Sequence, residues 1–357
     1  MTSGSPPSCP FVAGSKIEDY WRFVGRKDEL HAIASRMSGV QPTSVNVVGD
    51  KRIGKSSLLY HFYQTWEQRV QEPSRYVVIY LSLQDADCHT EEGFYQAVAE
   101  ALLSRVSGWK LGLRNPLKAK PLHRQAFSDA IKQWKQQGVL PVLCLDDFES
   151  LLKRTEEFDN GFYDNLRSLM NDNALMLVVA SRKELSVYGS EHRFVSQFFN
   201  LGHILKLEEL TTDEAIQLVR LPASSVSSAP PVLSVDEQHH VENWGKRHPY
   251  FLQLAGSCLW EARQQNKDIR WAKAQFEQQS SQFKSKSNRQ LWRPLIWLWD
   301  IPLHLGRLAT FMGSNWDDIQ NRIIGALILS VIGLGLVRVL TLPDVQKWLE
   351  KIFNLVQ

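Results

Sequence analysis

SVNVVGDKRIGKSS, residues 44–57, decides how the rest of the chain is read. Its first half is a short apolar β-type run (Val45, Val47, Val48) feeding into Gly49. Its second half closes on Gly54, Lys55 and Ser56 in a G-x-x-x-x-G-K-[ST] pattern. The helical periodicity of SLLYHFYQTWEQRV follows at once. A strand, a glycine-containing loop and a helix in this order make a phosphate-binding loop. The two glycines let the backbone of Asp50, Lys51, Arg52 and Ile53 turn tightly and aim N–H groups at phosphate oxygens. The helix carrying Ser57 adds the positive end of its dipole. In that setting Lys55 reaches the terminal phosphates of a nucleoside triphosphate, and the Ser56 hydroxyl takes one position on Mg²⁺.

Composition sets the frame around this unit. The 357 residues allow one large or two smaller domains plus a tail, and 43% hydrophobic residues suffice for a core. A net charge of +3, from 41 basic and 38 acidic side chains, excludes a global polycation built for nucleic acid. Four cysteines (Cys9, Cys88, Cys144, Cys258) lie far apart with no metal-ligand spacing, so neither a disulfide framework nor a zinc site is expected. Residues 1–19 have neither the apolar nor the basic segment of a secretory signal and read as flexible. The ATPase domain is accordingly expected in the cytoplasm.

Further along, a helical segment ending at Met37 is introduced by the turn-like Phe23-Val24-Gly25-Arg26. Four more apolar runs then read as strands: Tyr76–Leu83, Val139–Leu145, Ala174–Ala180 and His203–Leu207. They alternate with helical patterns, which predicts an α/β fold: a parallel five-stranded sheet sandwiched by helices. Right-handed crossovers bring every strand's carboxyl end to one edge. The phosphate-binding loop, Asp146-Asp147 and Ser181-Arg182 all follow strands and so meet there. From residue 211 the pattern turns helical, with Thr212 as an N-cap, and stays so to about residue 290.

Four apolar residues ending in Asp146, 90 residues after Ser56, form a Walker B strand. Asp146 would hold Mg²⁺, a hard cation that takes oxygen ligands. Asp147 stands next to it to orient the attacking water, with Glu149 as the alternative carboxylate. Asp147 is one methylene shorter than a glutamate, so slow hydrolysis is expected. Arg182 is the candidate for sensing the γ-phosphate. The strand between phosphate-binding loop and Walker B fits the ASCE branch of P-loop NTPases.

Phe23-Val24-Gly25-Arg26, GDKRIGKS, LCLDDFE, VVASR and GKRHPYFLQLAG, in that order, resemble the STAND NTPases, signal-transduction ATPases related to AAA+ proteins. The resemblance covers about residues 20–255. It implies ATP as the nucleotide, with ADP as its product. It also implies an adenine pocket lined by Val24, Gly25 and Arg26, a sensor arginine at Arg182, and an α-helical lid whose Pro249 touches the base. The lid motif from Gly245 to Pro249 is two residues longer than the family's G-x-P. It implies, too, a homo-oligomer or a partner protein on activation. The long C-terminal sensor repeats of the family are missing.

Residues 291–357 form a hydrophobic tail. Ile323–Val337 is fifteen uncharged residues, and extending past the charged Arg338 to Leu342 gives twenty; a spanning helix takes about 20. Trp292, Trp297, Trp299 and Trp316 suit an interfacial belt, and five basic residues between Lys284 and Arg307 precede the run. A membrane contact through the tail and a buried core or oligomer helix both fit this pattern. The basic stretches Lys118–Arg124 and Lys284–Arg293 keep a second class open: a DNA-associated AAA+-like ATPase of the replication-initiator or transposition-regulator type.

Overall fold

A computed structural model of the chain describes residues 9–106, 116–118, 121–200, 202–222 and 229–291. Five parallel strands, β1 (Val45–Val48), β2 (Tyr76–Ser82), β3 (Leu140–Asp146), β4 (Met176–Ser181) and β5 (His203–Lys206), form one sheet in the order β2-β3-β4-β1-β5. The expected parallel α/β architecture is present. Register sets the functional edge: Val48 lies beside Ser181 and Lys206, and Ser82 beside Asp146. The loops after all five strands therefore leave the sheet at one level.

Two cores flank the sheet, and the period-2 geometry of a strand fills both. Val77, Leu143, Leu145, Leu177 and Val179 point to one side. There they meet α3 (Glu91–Arg105), α4 (Arg124–Gln136), α6 (Asn160–Asn171) and α7 (Leu185–Glu191). Val78, Val142, Cys144, Met176, Val178 and Ala180 point to the other, against α1 (Lys27–Met37) and α2 (Lys55–Thr65). This explains why the inner strands read as unbroken apolar runs. At the sheet edge β5 alternates between half-buried and exposed residues instead. Asn46 is the polar exception in β1: its amide donates to Ser181 Oγ at 2.7 Å and accepts from the Leu185 N–H at 3.1 Å.

A short helix α5 (Glu149–Leu152) follows β3, and beyond β5 come α8 (Thr212–Val219), α9 (Val235–Gly245), α10 (Pro249–Gln264) and α11 (Ile269–Leu291). The cap of α8 is Thr211, not Thr212 as the sequence suggests. A capping box needs its acid three residues on, and Thr211 with Glu214 has that spacing. Ser234 and Glu237 repeat the device on α9, and Arg263 of α10 ties back to Glu237 and to the Val232 carbonyl. Contacts divide the chain into two units, Met1–Phe276 and Glu277–Gln357. The candidate spanning run Ile323–Leu342 and the tail tryptophans lie outside the described residues. Among the described residues no helix is long and apolar enough to cross a membrane.

The flexible start expected for residues 1–19 does not hold for residues 9–19, which pack as a strap. Phe11 is buried against Gly256 of α10, where an added Cβ would come within 2.6 Å of the Phe11 ring. The Val12 N–H donates to Gln253 Oε1 at 2.8 Å, and the Ile17 N–H to Ser57 Oγ at 3.0 Å. The strap thus bridges α10 and the start of α2.

His61 of α2 stacks on Phe23, with ring centroids 4.1 Å apart and 11° between planes. Burial, with the Arg69 charge nearby, holds its imidazole down to about 4 from an ordinary 6.5. Between those values the unfolded chain binds the extra proton, so stability falls as pH drops through this window. We expect His61→Phe, which keeps the stack, to lose less melting temperature than the wild type from pH 6.5 down to pH 4. Parallel melting curves for the two proteins across that range would refute the assignment.

Candidate functional site

A cavity of about 410 Å³ opens at the carboxyl edge of the sheet, walled by the loops after β1, β3 and β4, the residue 12–17 strap, and residues of α8 and α10. Its floor is the phosphate-binding loop. Gly54 is the N-cap of α2 with φ +104°, a left-handed conformation glycine adopts without strain. Gly49 serves by close approach: a Cβ there would lie 2.9 Å from both the Leu207 carbonyl oxygen and Ile53 Cγ2. Lys55 folds back over the loop, its Nζ donating to the carbonyls of Gly49 (2.7 Å) and Asp50 (2.8 Å). Burial drives the Lys55 ammonium below the usual lysine value, against the pull of Glu149 and Asp146.

Three carboxylates follow β3. Asp146 is buried at 4% exposure, and both of its oxygens are held. Oδ2 accepts from the Tyr80 hydroxyl at 2.8 Å and Oδ1 from the Asp147 N–H at 3.0 Å. Asp147 sits at φ +53°, and burial, then the charges of Asp146 and Glu149, push its carboxyl above the usual range. The Gln84 side chain, in the loop after β2, opposes part of that rise. Glu149 opens α5, and its Oε1 accepts from the Arg182 N–H at 2.5 Å and the Tyr188 hydroxyl at 2.9 Å. Glu149 therefore braces the loop carrying Arg182.

Most of the residues singled out in the sequence converge here. Val24, Arg26, Lys51, Arg52, Ile53, Gly54, Lys55, Ser56, Ser57, Asp146, Asp147, Glu149, Arg182 and Pro249 line the one cavity. Gly25, Gly49 and Asp50 are not among its lining residues. Gly25 has φ +74°, and a Cβ there would meet the Glu214 carboxyl at 2.5 Å. The Arg26 guanidinium is spent on structure: it donates to the carbonyls of Glu208 (2.6 Å) and Ile53 (3.3 Å) and pairs with Glu29. Pro249 is both the first residue of α10 and part of the cavity wall. Beside it the Arg52 guanidinium lies over the Tyr250 ring, 4.2 Å from the centroid.

Sequence reasoning missed the strap, Tyr80, Gln84, Tyr250 and Gln253. For Gln253 a signal existed, since it stands four residues after Pro249 on the same helical face. For Tyr80 none did, because only the β2–β3 register brings it to Asp146.

Asp147 bears a buried negative charge among like charges in a left-handed backbone conformation that asparagine tolerates. We expect Asp147→Asn to melt a few degrees above the wild type at neutral pH. The gain should shrink as pH falls toward 3.8, the ordinary aspartate value, because the native carboxyl then takes up a proton and the repulsion disappears. A variant less stable than the wild type at neutral pH would contradict this reading of the cluster.

The fold is similar to that of a Walker-type ATPase of Pyrococcus abyssi, with a TM-score of 0.53 at 14% identity, over 86% of this chain and 91% of that one. It is also similar to the ORC2 protein of Aeropyrum pernix solved with ADPNP and ADP, with a TM-score of 0.50 at 14% identity, over 71% and 67% of the two chains. At such identity the likeness is one of fold. No curated relative matches the chain. The family model described as Novel STAND NTPase 1 matches residues 15–278, well over half of the length, and the chain belongs to that family of P-loop NTPases.

Proposed function

We propose that the chain is an ATP-binding, slowly hydrolysing STAND switch that works with Mg²⁺. The observation that carries this reading is the convergence of Lys55, Ser56, Asp146, Asp147 and Arg182 on one cavity roofed by α10. Phosphates would lie on the N–H groups of the loop and the start of α2, and Lys55 would exchange the Gly49 and Asp50 carbonyls for phosphate oxygens.

Among the described residues no group of three or more His, Cys, Asp or Glu is arranged to hold a metal by itself. Ser56 and Asp146 offer a hydroxyl and a carboxylate, an all-oxygen set that fits Mg²⁺ completed by water and phosphate. When bound, Mg²⁺ supplies charge neutralisation to the phosphates. Tyr80 and the Asp147 N–H hold Asp146 in place for that role. Asp147, its carboxyl raised by burial and by the neighbouring charges, orients the water and accepts its proton. A short side chain on a constrained backbone limits its reach, which supports slow turnover.

Switching would run through the helical lid formed by α8 to α10. Lys55 and Arg182 would sense the γ-phosphate, and the Arg52–Tyr250 contact supports coupling of the loop to α10. The closed form would then engage another copy or a partner protein, with the ATPase on the cytoplasmic side and residues 323–342 as a membrane tether. For the DNA-associated alternative, Arg124 of the first basic stretch is already committed to Glu91 at 2.6 Å and Asp159 at 2.9 Å.

Lys55→Ala should abolish ATP binding in calorimetry, and undiminished binding would sink the site. Asp147→Asn should bind ATP while turnover falls by about 10²–10⁴-fold; retained turnover would move the role to Glu149. In flotation with lipid vesicles, the full-length chain should rise with the lipid and a version ending at Arg289 should not. If both stay at the bottom of the gradient, the tether is wrong.

A further inference from the structure

The apolar end of the cavity contains one polar group whose hydrogen bonding is half finished. Gln253, one turn beyond Pro249 on α10, lines the cavity yet is only 3% exposed. Its Oε1 accepts from the Val12 N–H at 2.8 Å. Its Nε2 is buried and has no hydrogen-bond partner among the described residues. The orientation of this amide is not arbitrary: a backbone N–H can only donate, so the oxygen must face Val12 and the NH₂ must face away. Val12 is itself pinned, because its neighbour Phe11 is wedged against Gly256. The strap and α10 together hold a carboxamide with its donor end unsatisfied.

A buried donor left unpaired costs about 1–3 kcal/mol, so this geometry is the kind that a ligand completes. Val24, Leu210, Leu218, Pro249 and Tyr250, which are apolar or aromatic, line the same cavity as Gln253, alongside the charged Lys16 and Arg26 and the charged groups of the loops after β1, β3 and β4. A planar aromatic base with an acceptor on its edge matches such a wall. Resting on the nucleotide reading above, we infer that Gln253 is the base-reading residue, its Nε2 donating to an unprotonated ring nitrogen of adenine. The N-terminal strap is then a positioning element: by occupying Oε1 it commits the amide to donating toward the base.

The test measures affinities of the full-length chain for ATP and for inorganic tripolyphosphate, which has no base. Gln253→Leu should weaken ATP by at least about tenfold, the equivalent of 1.4 kcal/mol, and leave tripolyphosphate unchanged. Gln253→Glu keeps an oxygen for Val12 and replaces the donor; its ATP affinity should be low at pH 8 and recover as the pH is lowered, because a protonated carboxyl donates again. A merely structural role for Gln253 would give no such recovery. One of 1-deaza-, 3-deaza- and 7-deaza-ATP should bind the wild type about as poorly as ATP binds Gln253→Leu, with no further loss in the variant. Unchanged ATP affinity in Gln253→Leu, or equal losses for ATP and tripolyphosphate, would overturn the inference while leaving the nucleotide site intact. Failure of the wild type to bind ATP at all would overturn both.

Discussion

A parallel sheet covered on both faces leaves its chain no choice about where its loops meet. Each strand must return through a crossover before the next begins, so the carboxyl ends of all five strands share one edge. In this protein that edge collects Lys55, Arg182 and the carboxylates Asp146, Asp147 and Glu149. Isolated burial of any of these charges would be costly; together they offset one another. Burial still drives Lys55 down and Asp147 up. The site is thus poised with a desolvated cation and a protonation-prone carboxyl, the condition in which a phosphate group and a water find strong partners.

The helical segments are held to the sheet by polar ties as much as by apolar packing. Glu214 is central. Its Oε2 accepts from the Thr211 N–H at 2.9 Å to complete the α8 capping box, and its Oε1 accepts from the Arg26 N–H at 2.5 Å. Burial pushes the Glu214 carboxyl up, but these N–H groups outweigh it and hold the carboxyl below its ordinary value. Arg26 extends the tie to Ile53 in the phosphate-binding loop and to Glu208 after β5. One arginine and one glutamate thus tie the loop to α8, and Arg52 over Tyr250 ties it to α10. Those ties give a physical route by which phosphate occupancy could bias the helices.

Signals carried by contiguous residues were legible before any coordinates. The phosphate-binding loop, the Asp146-Asp147 pair and the strands follow from local pattern, since periodicity and glycine placement act over a few residues. Pro249, which the family resemblance puts against the base, lines the cavity and is also the first residue of α10. The Thr211 cap was misplaced by one residue because two adjacent threonines precede the helix, and only the spacing to Glu214 separates them. Arg26 lines the cavity, and its guanidinium serves the backbone of Ile53 and Glu208.

The sequence by itself determined the fold class, the phosphate-binding loop and the Walker B carboxylates, because each is encoded within a single strand–loop–helix unit. Only the tertiary structure decided that Phe11 and Val12 form a strap, that Tyr80 supports Asp146, and that Gln253 lines the cavity with its Oε1 tied to Val12. The physical reason is separation along the chain. The Tyr80–Asp146 bond joins residues 66 apart and the Val12–Gln253 bond residues 241 apart, so no local propensity records either. Such contacts exist only once the sheet has aligned its strands and α10 has packed against the start of the chain.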